Sequence, residues 1–153
     1  MKMDTEIRVG TSKKYKQLYN DLKEESVVKE MHETFFICAV LGHRASRRSK
    51  IADRDDRFWS KTFEPHEWTT FYALRLQDHN QDITSIADDK VVIRDMEEYA
   101  NAGMEILISE FLHNYLTSEE SEPTLDKTHS AELAKDLLHY LFNQINQETL
   151  PAP

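Results

Sequence analysis

Residues 27–50 read VVKEMHETFFICAVLGHRASRRSK, and this stretch joins the longest strongly apolar run of the chain, Phe35 to Leu41, to its densest basic segment. Apolar side chains at helical spacing predict helix two over Val27 to Leu41. The expected core residues of this helix are Met31, Phe35, Ile37, Cys38 and Leu41. Gly42 stands where a C-cap glycine is expected. Because cations at a helix C-terminus are favoured by the helix dipole, this position alone would explain Arg44.

The sequence on both sides of this stretch predicts four further helices, from their caps and apolar periodicity. Their expected bounds are a start at Thr11 or Ser12 for helix one, Pro65 to about Gln77 for helix three, Asp88 or Asp89 through Leu116 for helix four, and about Thr128 to Gln147 for helix five. Residues 43–64 are expected to form a long irregular connection. The predicted fold is therefore a mostly α, single-domain bundle of about five helices over residues 12–147. Residues 1–11 are expected to be a flexible or extended arm, and residues 148–153 a C-terminal tail.

Glycine is scarce, with three residues in the chain. Few turns can use its freedom at positive φ, which weighs against hairpin-rich folds and predicts little strand content. Gly103 lies within predicted helix four, where glycine costs about 1 kcal/mol relative to alanine. Close packing against another helix would explain it, and so would a local kink.

Charge is distributed unevenly along the chain. Residues 1–60 hold 13 basic and 10 acidic side chains, whereas residues 61–153 hold 6 basic and 18 acidic ones, and the whole chain has a net charge of −9. Such asymmetry indicates an anionic partner for one face. The single cysteine, Cys38, excludes an internal disulfide and a zinc site built from cysteines. The sequence shows neither a membrane span nor a signal peptide, so we expect a cytoplasmic protein.

The basic segment after Gly42 is the strongest candidate binding site. Arginine and lysine neutralise phosphates, serine hydroxyls donate to phosphate oxygens, and aromatic rings stack on bases. Acidic residues at positions 53, 55 and 56 interrupt the second half of the segment. Contact with a DNA backbone, docking of an acidic protein surface and a solvated loop all remain open. The candidate residues are Arg44, Arg47, Arg48, Lys50, Arg54, Arg57 and Trp59.

Catalytic chemistry has weaker support. Glu110 with His113 and Asp136 with His139 are carboxylate–histidine pairs at i and i+3, as in di-iron bundles, and Glu33 and Glu67 would be the extra ligands. Ordinary surface pairs give the same pattern. His32-Glu33 and His66-Glu67 each begin a zinc motif whose second histidine is missing. With no nucleophile elbow or phosphate loop, we expect a non-enzymatic protein without a metal or cofactor.

Three segments resemble a known family. They are YKQLY at 15–19, FFICAVLGHR at 35–44 continuing to Arg47 and Arg48, and EYANAGMEIL at 98–107. In order and spacing they are similar to dnd system-associated protein 4, over roughly residues 12–112. That family has two adjacent glycines where this chain has Ala102 and Gly103.

The resemblance implies a setting rather than a reaction. The family accompanies bacterial loci for DNA phosphorothioation, in which sulfur replaces a backbone oxygen and unmodified DNA is restricted. It provides no catalytic residues to carry over. It implies antiphage defence linked to DNA modification. Taken together with the basic segment, it leads us to expect a non-enzymatic accessory subunit whose basic segment contacts DNA or a larger subunit of that system. Helix five is apolar enough to pair with a second copy of the chain.

Overall fold

The computed structural model describes residues 7–117 and 122–149. These residues form five α-helices and one two-stranded antiparallel sheet, so the mostly α, single-domain prediction is confirmed. The helices are α1 (Lys16–Glu24), α2 (Met31–Arg44), α3 (Pro65–Asp78), α4 (Asp89–Glu110) and α5 (Ser130–Thr149), and the strands are β1 (Arg8–Ser12) and β2 (Arg54–Trp59). Within the described ranges, no helix combines the length and apolarity needed to cross a membrane.

Helices α2 and α4 form the centre of the molecule and approach each other through glycine. A β-carbon on Gly103 would overlap the backbone carbonyl of Cys38, and one on Gly42 would overlap the carbonyl oxygen of Tyr99. The packing explanation for Gly103 is therefore correct. The C-cap prediction for Gly42 is wrong, because α2 continues to Arg44 and Gly42 is used for close contact between helices.

The sheet corrects the prediction for the connection. Strand β2 lies inside residues 43–64, which were expected to be irregular, and its partner β1 is formed by residues 8–12, most of them in the part of the chain predicted to be a flexible or extended arm. Arg8 pairs with Trp59 and Ser12 with Arg54, with a register shift between Val9 and Gly10. The rest of the predicted arm, residues 1–6, lies outside the described residues, as do residues 150–153 of the predicted tail.

Helix ends depart from the predicted positions for local reasons. Helix α2 begins at Met31 because Glu30 and Glu33 form a capping box there. Helix α4 ends at Glu110 rather than Leu116, since Phe111 leaves helical geometry (φ −138°) and a short 3-10 turn follows. Helix α1 begins at Lys16, after a 3-10 turn over Lys13–Tyr15.

Aromatic rings attach the connection to the helices. Phe63 follows β2 and packs against Phe71 of α3 at a centroid distance of 5.0 Å and against Phe35 of α2 at 5.7 Å. Phe58 of β2 packs against Phe35 at 5.7 Å and against Phe63 itself at 5.4 Å. The second half of the connection, from β2 to Phe63, is therefore anchored on the core.

Helix α5 packs through one side only. Leu133 and Leu137 are buried, and Tyr140 stacks on Phe111 while its hydroxyl donates to Glu110 (2.7 Å). The hydroxyl of Tyr115 donates to Asp136 on the same helix. The opposite side of α5 leaves large apolar side chains exposed.

Candidate functional site: the basic segment and the acidic face of α4

The structure separates the predicted binding residues into different environments. Arg44, the last residue of α2, reaches across to α5, where its Nη2 donates to the carbonyl oxygen of Gln144 (2.9 Å). This bond joins the end of α2 to a residue of α5 that lies 100 positions later in the chain. Arg44 therefore fixes α5 to the centre of the bundle.

Arg48 lies on the acidic face of α4. Its Nη2 is 2.5 Å from Asp95 and 2.8 Å from Glu98, and its guanidinium lies 5.0 Å from the centre of the Tyr99 ring. Burial alone would lower the pKa of Arg48, but the hydrogen bond to Glu98 and the charge of Asp95 outweigh it and raise the pKa. The side chain is still 44% exposed, so one edge of a firmly charged guanidinium faces solvent.

The loop that carries Arg47 and Lys50 is fixed through its backbone. The Ser49 amide donates to the carbonyl of Glu98 (3.1 Å), and Asn101 Nδ2 donates to the carbonyl of Ser49 (3.3 Å). Arg47 is 55% exposed, and the Glu105 carboxylate lies 3.9 Å from its Nη2. Lys50 is exposed as well. These two cations are thus held on a rigid support with their side chains in solvent.

Arg54 belongs to a buried cluster around Glu97. The Glu97 carboxylate is 3% exposed and accepts from Arg54 Nε (2.9 Å), from Arg94 Nη1 (2.6 Å) and from the Gly10 amide (2.8 Å). The hydrogen bond to Glu97 raises the pKa of Arg54 against the opposing effect of burial. Two arginines and a strand amide therefore converge on one buried carboxylate, which attaches the sheet to α4.

Arg57 and Trp59 also make contacts within the sheet. The Arg57 side chain is only 4% exposed, donates to Thr11 Oγ1 (2.8 Å) and pairs with Asp55 (3.2 Å). The ring of Trp59 is covered by the guanidinium of Arg8, 4.4 Å from its centre. The structure thus places Arg54, Arg57 and Trp59 among structural contacts and leaves Arg47, Arg48 and Lys50 facing solvent.

A polar cleft of about 590 Å³ opens beside the basic segment. On its wall, Asp78 of α3 lies 2.9 Å from His43 Nε2 through one carboxylate oxygen and accepts from the Tyr99 hydroxyl (2.6 Å) through the other. Burial, followed by the bond to Asp78, raises the pKa of Tyr99 to about 12. Arg44 and Arg48 line the same cleft, which therefore combines two cations with a hydrogen-bonded histidine, aspartate and tyrosine.

The expected di-iron ligands do not converge. Glu110 accepts from Tyr140, Asp136 accepts from Tyr115, and Glu33 caps α2. Across residues 7–117 and 122–149, no group of three or more histidine, cysteine, aspartate or glutamate side chains could hold a metal ion. The di-iron hypothesis thus fails on the placement of its ligands.

The two incomplete zinc motifs do meet, but as a pair. Buried His32 Nδ1 lies 2.9 Å from the Glu67 carboxylate, with side-chain exposures of 8% and 3%. Glu67 also accepts from the Glu64 amide and so caps α3. This pair joins the beginnings of α2 and α3, and its contacts are structural.

Sequence reasoning missed the acidic partners of the basic segment. Asp95, Glu98 and Glu105 are three and seven positions apart, a spacing that places them on one helix face. Each has an atom within 4 Å of Arg47 or Arg48. That helical spacing of opposite charge was the available signal. Asp78 gave no comparable signal, because it meets His43 and Tyr99 only through the tertiary fold.

The regions brought together here, the end of α2, the following loop and the middle of α4, are also the regions that carry the family resemblance. The family model for DNA sulphur modification system-associated protein 4 matches residues 7–137. No curated protein and no solved structure gives a significant match to the chain. The match extends from β1 into α5 and includes every residue of the basic segment and its acidic counterpart. The chain therefore belongs to the family of DNA sulphur modification system-associated protein 4.

Proposed function

We propose that this protein is a non-enzymatic, cytoplasmic accessory subunit of a bacterial antiphage defence system linked to DNA sulphur modification. In this proposal it contacts the DNA backbone through Arg47, Arg48 and Lys50. One observation carries the proposal: the loop backbone is fixed on α4 by hydrogen bonds, while Arg47 and Lys50 are exposed and one edge of the Arg48 guanidinium faces solvent. Because this backbone is already ordered, only side-chain freedom is lost when these cations bind a phosphate.

The contact is expected to be small. Arg48 already shares its charge with Asp95 and Glu98, and Arg54 and Arg57 are committed to the sheet. Two or three phosphates would then be neutralised, and the slope of log affinity against log salt would be about −2 to −3. Acidic side chains elsewhere on a chain of net charge −9 restrict binding to this one face. Larger subunits of the defence system would supply the remaining affinity.

Fluorescence anisotropy with a short labelled duplex tests the proposal. The plain and the phosphorothioated duplex are each titrated at several salt concentrations with the wild type and with Arg47→Glu plus Lys50→Glu. The matched control is Lys61→Glu plus Lys135→Glu, which reverses two exposed lysines elsewhere and changes the net charge equally. We expect the loop variant to lose binding at least tenfold and the control to keep it, with circular dichroism unchanged in both. Equal losses, or none, would contradict the assignment to this loop.

A second candidate, a protein-only adaptor, is favoured by the chemistry of Arg48. This arginine already binds two carboxylates, so the same loop fits an acidic protein surface. The adaptor predicts no salt-sensitive affinity for either duplex and co-purification with a larger subunit, which the Arg47→Glu plus Lys50→Glu variant would abolish.

A further inference from the structure

The outer side of α5 carries an exposed apolar stripe. Leu138, Phe142 and Ile145 are 65%, 60% and 50% exposed. They are separated by four and three positions, the spacing of a seam between two packed helices. All three lie beyond residue 137, where the family match ends.

The same stretch lacks charge. Between Asp136 and Glu148 the sequence contains no aspartate, glutamate, lysine or arginine, although charged residues make up 31% of the chain. Interface centres are depleted of charged residues and enriched in aromatic ones. Each copy has a net charge of −9, so most surfaces of residues 61–153 would bring carboxylates of two copies together. The uncharged stretch of α5 allows two copies to meet without that repulsion.

An apolar groove runs beside this stripe. It has a volume of about 380 Å³, and its apolar lining comes from the connection after α1, from α2 and from α5. Leu138 belongs to both the stripe and the groove. A surface with a ridge and a groove side by side can match its own copy, as a two-fold symmetric interface requires.

We propose that two copies of the chain associate through antiparallel pairing of their α5 helices. The two-fold axis passes close to Leu141 and Phe142, so the two Phe142 rings meet at the centre and Leu138 of each copy packs beside Ile145 of the other. The spacing supports this register. Along one copy the stripe residues are four and then three positions apart, and along the antiparallel copy they follow in the order three and then four, so both ends of the stripe meet a partner.

The area indicates a reversible dimer. Three side chains that are half to two-thirds exposed offer roughly 300 Å², judged from the area that a buried aromatic residue contributes. A stable interface buries about 800 Å² on each partner. The stripe supplies less than half of this area, so the dimer should dissociate on dilution.

Sedimentation equilibrium tests the association directly. With increasing concentration, the mass of the wild type should rise from 18.0 kDa towards twice that value. Leu138→Glu plus Phe142→Glu should remain monomeric, whereas Ile83→Glu, a change at a 70% exposed isoleucine away from α5, should behave as the wild type. A wild type that stays monomeric at several hundred micromolar would overturn the proposal and leave the stripe to a different protein. A dimer that survives the double substitution would overturn it as well.

Cross-linking tests the antiparallel register. Because Cys38 is fully buried, a cysteine introduced on the surface is the accessible thiol. Asn143→Cys lies next to the proposed axis and should form dimers with a short bis-maleimide. Ala131→Cys lies about ten residues from the axis, so two copies would be about 30 Å apart, at 1.5 Å per residue. Efficient cross-linking at Ala131→Cys, or none at Asn143→Cys, would overturn the register.

Discussion

Gly103 of α4 packs against Cys38 of α2 so closely that a β-carbon on the glycine would overlap the Cys38 carbonyl oxygen. The neighbour is backbone rather than a flexible side chain, so the helices themselves must separate to accommodate a methyl group. This contact brings the middle of α4 onto the middle of α2. It therefore also positions the acidic face of α4 beneath the basic segment.

Gly103→Ala should destabilise the fold. Overpacking costs about 1–3 kcal/mol or more, which exceeds the gain of about 1 kcal/mol in helix propensity. Because the clash is with backbone, the cost should lie in the upper part of that range, and we expect the free energy of unfolding in urea to fall by about 1–2 kcal/mol. Gly10→Ala is the comparison, because the nearest atoms to its β-carbon belong to the Arg54 side chain rather than to backbone, and what would have to shift is that side chain with its bonds to Glu97. A larger loss for Gly10→Ala than for Gly103→Ala would contradict this explanation.

Glu97→Ala should cost far more stability than Glu98→Ala. Removing the buried Glu97 carboxylate leaves two arginines and the Gly10 amide without their shared acceptor, at a cost of about 2–3 kcal/mol. Glu98 is 31% exposed and pairs with an exposed arginine, so its loss should cost less than about 1 kcal/mol. Urea unfolding of both variants gives the comparison, and similar losses would argue against a buried centre at Glu97.

Substitution of Arg57 should lower the stability of the fold, whereas substitution of Arg47 should weaken binding to DNA. Arg57→Ala removes a buried guanidinium that binds Thr11 and Asp55, and we expect the free energy of unfolding to fall by about 1–3 kcal/mol. Its affinity for the duplex should not change at temperatures where the variant is folded. Arg47→Ala should leave the free energy of unfolding unchanged. It should weaken the affinity for the duplex, measured by anisotropy, and make that affinity less dependent on salt. If Arg57→Ala weakened duplex binding while folded, the separation of the two roles would be wrong.

Alkaline pH should weaken the fold partly through Tyr99. Its pKa is raised to about 12 from an ordinary value of 10.0, so between these values the folded state holds a proton that the unfolded state has released. Stability from this group is complete below pH 10 and is lost as pH rises towards 12. Urea midpoints measured from pH 8 to pH 12 should fall less steeply for Tyr99→Phe than for the wild type. Parallel curves would show that Tyr99 does not contribute.

Sequence periodicity was sufficient to predict the helices, but not the sheet. Helix α3 was predicted almost to the residue because Pro65 and its apolar spacing are local signals. Strand β2 reads RDDRFW, and its charged residues hide the alternation that predicts strands. The strands are stabilised by arginine–carboxylate contacts with partners far away in the chain, and such contacts have no local pattern.

The sequence predicted where the candidate site lies, but not what each of its residues does. The segment after Gly42 is where exposed cations lie, as its composition indicated. Composition could not show that Arg54 and Arg57 turn inward, because this depends on Glu97 and Thr11 from other elements. The same limit applies to Arg44, whose partner on α5 is 100 positions away.

The buried Glu97 carboxylate also orders events during synthesis of the chain. The Gly10 amide that donates to Glu97 is 87 positions earlier in the sequence. At ribosomal rates of about 5–20 residues per second, strand β1 waits roughly 4–17 seconds for this partner to be made. The first strand to be translated therefore gains this partner only after α2, β2 and α3 have been made, whereas α5, which packs on the core through Leu133 and Leu137, is made later still.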